Sequence, residues 1–174
     1  MFIFPKKKPL NMPSTEILIR EAEINDSENL LIMIKELAEY EKLSHEVTAT
    51  PEDIRKTMFQ QKDCAKSLFI YHDNNLAGFI LYFFTYSTFT GKYDIYIEDV
   101  YVREEYRGHG LGKMLFKKVC EIADQNNCNR VEWSCLDWNT PSVDFYLKLG
   151  AEPMSDWTKY KLTEDQIRYL SKNL

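Results

Sequence analysis

None of the four cysteines (Cys64, Cys120, Cys128 and Cys135) stands in a Cys-x-x-Cys spacing, and only three histidines are present to partner them. Structural zinc and redox-disulfide frameworks need such clusters, so no metal is expected, and the cysteines are read as reduced thiols of a cytoplasmic protein. No apolar run reaches the ~20 residues of a membrane span. The apolar residues ahead of Lys6-Lys7-Lys8 are too few for a signal peptide and lie on the wrong side of the charges. A basic stripe is also missing: the formal charge is -5, which argues against a nucleic-acid partner and mildly favours cationic small molecules. There is no internal repeat and no low-complexity segment.

A chain of 174 residues with 44% hydrophobic and 14% aromatic content is long enough to bury one sizeable core. Residues 1–14, with three lysines between prolines, read as a flexible tail, and residues 15–174 as a single domain. Ile17 to Arg20 alternates like a strand. From Ser27, Leu30, Leu31, Ile34, Leu37 and Ala38 recur at helical spacing up to about Glu41. Thr50-Pro51-Glu52-Asp53 caps a second helix reaching about Gln61. Ser67 to His72 and Leu76 to Tyr86 are strands about a turn at Asp73-Asn74-Asn75, and Tyr93 to Val102 is the central strand. A third helix spans Leu111 to Asn126 and a strand spans Arg130 to Leu136. A helix from Pro141 to Leu149 stops at Gly150, Trp157 to Leu162 reads as a last strand, and Thr163 caps a terminal helix. This order predicts an α/β (α+β) fold with a central mixed sheet flanked by helices on both faces.

Two features of the central strand point to chemistry. The first is Glu98-Asp99, two acids interrupting an apolar strand. Strict alternation puts Tyr96, Glu98, Val100 and Val102 on one face and Ile95, Ile97, Asp99 and Tyr101 on the other, unless a bulge intervenes. A carboxylate there is costly unless paired, which marks a functional site. The second is the run that follows, Arg107-Gly108-His109-Gly110-Leu111-Gly112-Lys113, which opens directly into a helix. Glycines let backbone N–H groups approach a ligand and adopt positive φ, and the helix start adds unpaired donors. A P-loop is excluded, because counting back from Gly112-Lys113 puts Arg107 at its first position and Met114 at its last. A dinucleotide fingerprint is excluded because its third glycine would be Lys113.

Arg107, Gly110 and Gly112 behind a hydrophobic strand match the acyl-CoA signature of the GNAT acetyltransferase superfamily. Together with Ile97 to Val102, Glu105 to Gly108, Leu136-Asp137-Trp138-Asn139 and Phe145 to Ala151, they resemble the spermidine/spermine (diamine) N-acetyltransferase branch and, within it, the thialysine N-acetyltransferases. The resemblance runs from about Ile17 to Leu162. It implies a GNAT-type acyl-CoA N-acyltransferase fold, acetyl-CoA as cosubstrate, a small cationic amine as acceptor and a homodimer. Cosubstrate contacts are expected at Val100, Tyr101, Val102, Arg107, Gly108, His109, Gly110, Leu111, Gly112, Lys113, Asn139 and Ser142, although capping alone explains the last two. His109 is expected to be passive within the loop. Acceptor contacts are expected at Tyr40, Glu41, Glu98, Asp99, Glu132, Trp133 and Ser134.

Acetyl transfer to an alkylamine needs the neutral nitrogen. A lysine-like amine of pKa ~10.4 is neutral in roughly one part in 2,500 at pH 7, equivalent to about 4.6 kcal/mol. A base, a desolvating site or a more acidic amine must help. The resemblance gives Glu98 the part of base, acting through a water, and Tyr146 that of general acid for the departing thiolate; a core tyrosine is the plainer reading of Tyr146. A polyamine acetyltransferase, a protein N-acetyltransferase and a non-catalytic acyl-CoA sensor remain open at this point.

Overall fold

The computed structural model of the protein describes residues 16–61 and 64–173, so the tail expected at 1–14 lies outside the described residues. Two compact units are present, one ending at Ser134 and one running from Cys135.

The first unit holds β1 (Ile17–Glu21), α1 (Ser27–Tyr40), α2 (Pro51–Ile54) continuing as a π-helical stretch (Arg55–Gln60), β2 (Lys66–His72), β3 (Asn75–Ser87), β4 (Lys92–Val102), α3 (Leu111–Gln125) and β5 (Val131–Trp133). The five strands lie in sequence order. The first four are antiparallel and β5 is parallel to β4, so the sheet is mixed as expected.

Local chemistry explains the boundaries. Thr50 and Asp53 cap α2 reciprocally: the Asp53 N–H donates to Thr50 Oγ1 at 3.2 Å and the Thr50 N–H to Asp53 Oδ2 at 2.9 Å, with Pro51 at the first helical position. Between β2 and β3, Asp73 and Asn74 both adopt left-handed φ (47° and 65°), the two-residue turn whose twist suits a hairpin.

Alternation along the strands then makes two cores. Phe69 and Phe79 point to one face, where they pack with Leu30, Leu31, Met33 and Leu37 of α1 and with Ile54 and Met58. Leu68, Ile70, Ile80, Tyr82, Ile95 and Ile97 are buried on the other. There α3 covers β2, β3 and β4 with Leu111, Leu115, Phe116 and Val119. Truncating a residue such as Leu30, which has no exposed surface, would cost about 2–5 kcal/mol.

The second unit contains α4 (Thr140–Lys148) and α5 (Glu164–Asn173). The α4 helix ends in a Schellman turn: Gly150 sits at φ 89° and the Ala151 N–H donates to the Tyr146 carbonyl at 3.1 Å. A Thr163/Gln166 box opens α5, with the Thr163 N–H on Gln166 Oε1 at 2.8 Å. The strand expected at Trp157 to Leu162 is not formed, and the one expected at Arg130 to Leu136 is limited to Val131–Trp133. Alternation makes a strand only where a ladder is available to pair with. Here Trp157 and Tyr160 are 75% and 92% exposed.

Candidate active site

The β3–β4 ladder pairs Tyr82 with Ile97 but Leu81 with Asp99. Glu98 is therefore the extra residue of a β-bulge, and the side-chain alternation resets across it. This corrects the strictly alternating faces. Asp99 stands opposite Leu81 and Tyr101 opposite Phe79, on the face that α1 covers. Tyr96 pairs with Phe83 and shares that face. Ile95 and Ile97 share the opposite face with Val100. Glu98 itself is exposed.

On the other edge of β4, β5 pairs only from Ile95 to Ile97, so the parallel ladder also stops at the bulge. Arg103 donates its N–H to Ala77 on β3 at 2.9 Å. Strand alternation then turns the N–H groups of Val100 and Val102 toward the edge that β5 has left. Such donors, beside a pair of acids, have the makings of an oxyanion site.

Burial first, and then the negative charges of Glu98 and Glu41, push the Asp99 carboxyl up from 3.8 to about 6. Glu41, which follows the last turn of α1, is itself raised by burial. The structure thus brings Glu41 and Glu98 within electrostatic reach of Asp99, as a site for a cation requires. Of the three β5 residues expected to meet the acceptor, Ser134 shares a hydrogen bond of 2.9 Å with the Tyr96 hydroxyl. Glu132 faces Arg130 at 3.2 Å, and the Trp133 ring packs edge-on against Phe116 of α3 with centroids 5.1 Å apart.

Beyond β4 the glycine loop takes the expected form. Gly108 and Gly110 have φ of 80° and 78°, a region closed to most side chains. No atom lies within 4 Å of a Cβ built on either, so the glycines serve backbone shape and leave the cradle open. Gly110 is the N-cap of α3 and makes no side-chain cap. The first-turn N–H groups of Leu111, Gly112 and Lys113 therefore face the cradle's end of the helix, with the positive end of its dipole. A pyrophosphate fits this donor set.

Arg107 is engaged elsewhere. Its Nε–H donates to the Val102 carbonyl at 2.9 Å, and its guanidinium carbon lies 4.9 Å from the centre of the Tyr40 ring and 5.7 Å from that of Tyr101. The His109 ring meets that of His72 edge-on, with centroids 5.4 Å apart.

In the second unit, Asn139 is buried and its Oδ1 accepts the Ser142 N–H at 3.4 Å, so the capping role anticipated for this pair is present. Tyr146 is half-buried and its ring meets Phe145 edge-on at 5.5 Å.

Sequence reasoning missed Tyr96 as a hydroxyl partner of Ser134 and Arg107 as a partner of Tyr40. The pairs are distant in the chain, and no local pattern encodes either contact.

The sequence profile of the acetyltransferase (GNAT) family matches residues 33–151. The chain is 39% identical over 166 residues to the thialysine N-epsilon-acetyltransferase of Sus scrofa, covering 89% of this chain and 97% of that protein. It is also 39% identical over 101 residues to an L-ornithine N5-acetyltransferase of Arabidopsis thaliana, covering 58% and 44%. An integron cassette protein of V. cholerae superposes with a TM-score of 0.76 at 22% identity, covering 90% and 98%, which shows the shared fold. The bulged central strand, the glycine cradle at the head of α3 and the profile match converge: the chain belongs to the acetyltransferase (GNAT) family and is an N-acetyltransferase acting on amines.

Proposed function

We propose that the protein transfers the acetyl group of acetyl-CoA to the primary amine of a small cationic acceptor of the thialysine, lysine-like or diamine class. The observation that carries this reading is the bulge at Glu98, which sets two adjacent carboxylates where the β4–β5 ladder ends, beside a third acid, Glu41. Three acids in so small a space favour a cation, and the names of the pig and Arabidopsis relatives both denote small amino-acid amines.

Acetyl-CoA supplies the activated acyl group. The Gly108–Lys113 backbone holds its pyrophosphate, with Asn139 and Ser142 on the pantetheine arm. Tyr40 and Glu41 position the ammonium group, assisted by Glu132, Trp133 and Ser134 from the β5 segment. The Glu98/Asp99 pair takes the amine proton, Glu98 through a water and Asp99 as the partner that ionises only above about pH 6. The neutral nitrogen forms its bond to the acyl carbon while the Val100 and Val102 N–H groups stabilise the oxygen. The carbon–sulfur bond then breaks and Tyr146 shares its phenolic proton with the leaving thiolate. A phenol of pKa ~10 donates uphill to a thiolate near 8.5, so the proton is shared in the transition state instead of being transferred before it.

The assembly is a homodimer in the cytoplasm. Support comes from the family resemblance, the free thiols and the apolar surface of the second unit, where Trp157, Leu162, Ile167 and Tyr169 are all exposed. No described helix is long and apolar enough to cross a membrane.

The test is thiol release from acetyl-CoA against thialysine, lysine, ornithine, spermidine, putrescine and a histone-tail peptide. A strong preference for one of the small amines is the expected result. Preference for the peptide would reassign the acceptor, and binding of acetyl-CoA without release for any acceptor would refute the proposal.

A further inference from the structure

The arginine that opens the glycine motif would be expected, from its place in the loop, to reach for phosphate. Its contacts point the other way. The Nε–H is committed to the Val102 carbonyl at 2.9 Å, on the edge of β4 from which β5 has withdrawn. The guanidinium lies over Tyr40 at 4.9 Å and Tyr101 at 5.7 Å, both within the ~6 Å over which a cation is attracted to a ring face. Tyr40 is the last residue of α1 and is followed directly by Glu41, one of the charges felt by Asp99. Gly108, which follows Arg107 directly, is held at positive φ. One side chain therefore joins the cradle, the edge of the bulged strand and the acidic end of α1.

We propose that Arg107 is a positioning residue that couples occupancy of the glycine cradle to the acceptor side of the site through the Tyr40 ring. This rests on the reading of Tyr40 and Glu41 as acceptor contacts. When the cradle closes on CoA, the backbone at Arg107 settles, the guanidinium is held over Tyr40, and the last turn of α1 is fixed with Glu41 in place. Linkage makes the effect reciprocal: CoA raises the affinity for the amine by the factor by which the amine raises the affinity for CoA. A planar guanidinium is required, because an ammonium at this position keeps the charge but loses the stack and the Nε–H donor.

The experiment uses the full chain, its Arg107→Lys, Tyr40→Leu and doubly substituted forms, and the ring-conserving Tyr40→Phe. Amide hydrogen exchange over residues 39–43 is followed with and without CoA, alongside CoA affinity and the acceptor KM. CoA should slow exchange at 39–43 in the unsubstituted protein and in Tyr40→Phe, but not in Arg107→Lys or Tyr40→Leu. The acceptor KM of Arg107→Lys should rise ~2- to 30-fold, the range of one cation–π contact, with CoA affinity unchanged. The double substitution should be no worse than either single one, as for two residues acting through one contact. Loss of CoA affinity in Arg107→Lys with additive effects in the double form would overturn the proposal and make Arg107 a phosphate ligand. If no amine is turned over, the acceptor reading fails, while the exchange measurement still decides the coupling: no CoA-dependent protection at 39–43 in the unsubstituted protein refutes it.

Discussion

Replacing Asp99 by Asn should make the protein more stable and less active, and the stability gain should depend on pH. Asp99 is half-buried beside Glu98 and Glu41, and its carboxyl is raised from 3.8 to about 6. Between those values the folded chain holds a proton that the unfolded chain has released, so stability falls as pH rises through that window. Below about pH 4 the group is neutral in both states and contributes no difference. Above about pH 6 the whole cost is present. The rise is worth ~3 kcal/mol at most, or about 2 kcal/mol once solvent access to the half-buried side chain is allowed for. Asn keeps the shape and removes the charge, so urea unfolding at intervals from pH 4 to pH 8 should show Asp99→Asn and the parent nearly equal at pH 4. The variant should become about 2 kcal/mol more stable by pH 7. Steady-state rates on the same proteins should show a loss of kcat/KM in Asp99→Asn and of its ionisation near pH 6, while Glu98→Gln, at the exposed bulge position, should change turnover with little effect on stability. A stability difference that is flat with pH, or one that favours the parent, would refute the burial argument and with it the place of Asp99 in the proton-accepting pair.

Tyr146→Phe should lower kcat by roughly 10- to 100-fold, below the full range for general acids because the proton is only shared, with CoA affinity intact by calorimetry; an unchanged rate returns Tyr146 to a packing role. Gly110→Ala introduces no clash, since nothing lies within 4 Å of the added carbon, but it must hold φ 78°, costing ~1–2 kcal/mol. CoA should bind correspondingly more weakly, and Gly110→Asn, which tolerates that conformation, should recover most of the loss. Gly78→Ala places a carbon 2.5 Å from the Tyr101 carbonyl oxygen. That atom is backbone and cannot step aside, so thermal unfolding should report a loss of ~1–3 kcal/mol.

What could be read from the chain and what could not divides along one physical line. Elements whose determinants are local appeared where expected: the Thr50/Asp53 cap, the left-handed Asp73-Asn74 turn, the positive-φ glycines ahead of α3 and the Gly150 stop are each settled by a few neighbouring residues. Features decided by a distant partner did not. Tyr96-Ile97-Glu98-Asp99-Val100-Tyr101 reads equally well with or without an extra residue, and only the register against Leu81 and Tyr82 shows that Glu98 is bulged. The alternation at Trp157 to Leu162 is real, but a strand needs a ladder as well as a pattern. The guanidinium of Arg107 over Tyr40 joins the third and first helices' ends, which no motif spanning a dozen residues can encode.

The same division bears on the chemistry. Adjacent acids on an unbroken strand would face opposite ways, one toward α1 and the other toward α3, and could not act on one substrate. The bulge breaks that rule at the position where the parallel ladder also ends. Asp99 is thereby turned to the α1 face with Tyr101 and the acidic end of α1, and Glu98 is left at the exposed opening. A half-buried acid that resists ionisation beside an exposed one that does not have to be desolvated is the arrangement that can hold a cationic amine and still relieve it of a proton. Deleting Glu98 would remove the bulge and leave Asp99 opposite Leu81 on the α1 face, so regular alternation would be restored with the exposed carboxylate gone. Such a deletion should lower turnover at least as far as Glu98→Gln does, while CoA binding at the Gly108–Lys113 cradle persists.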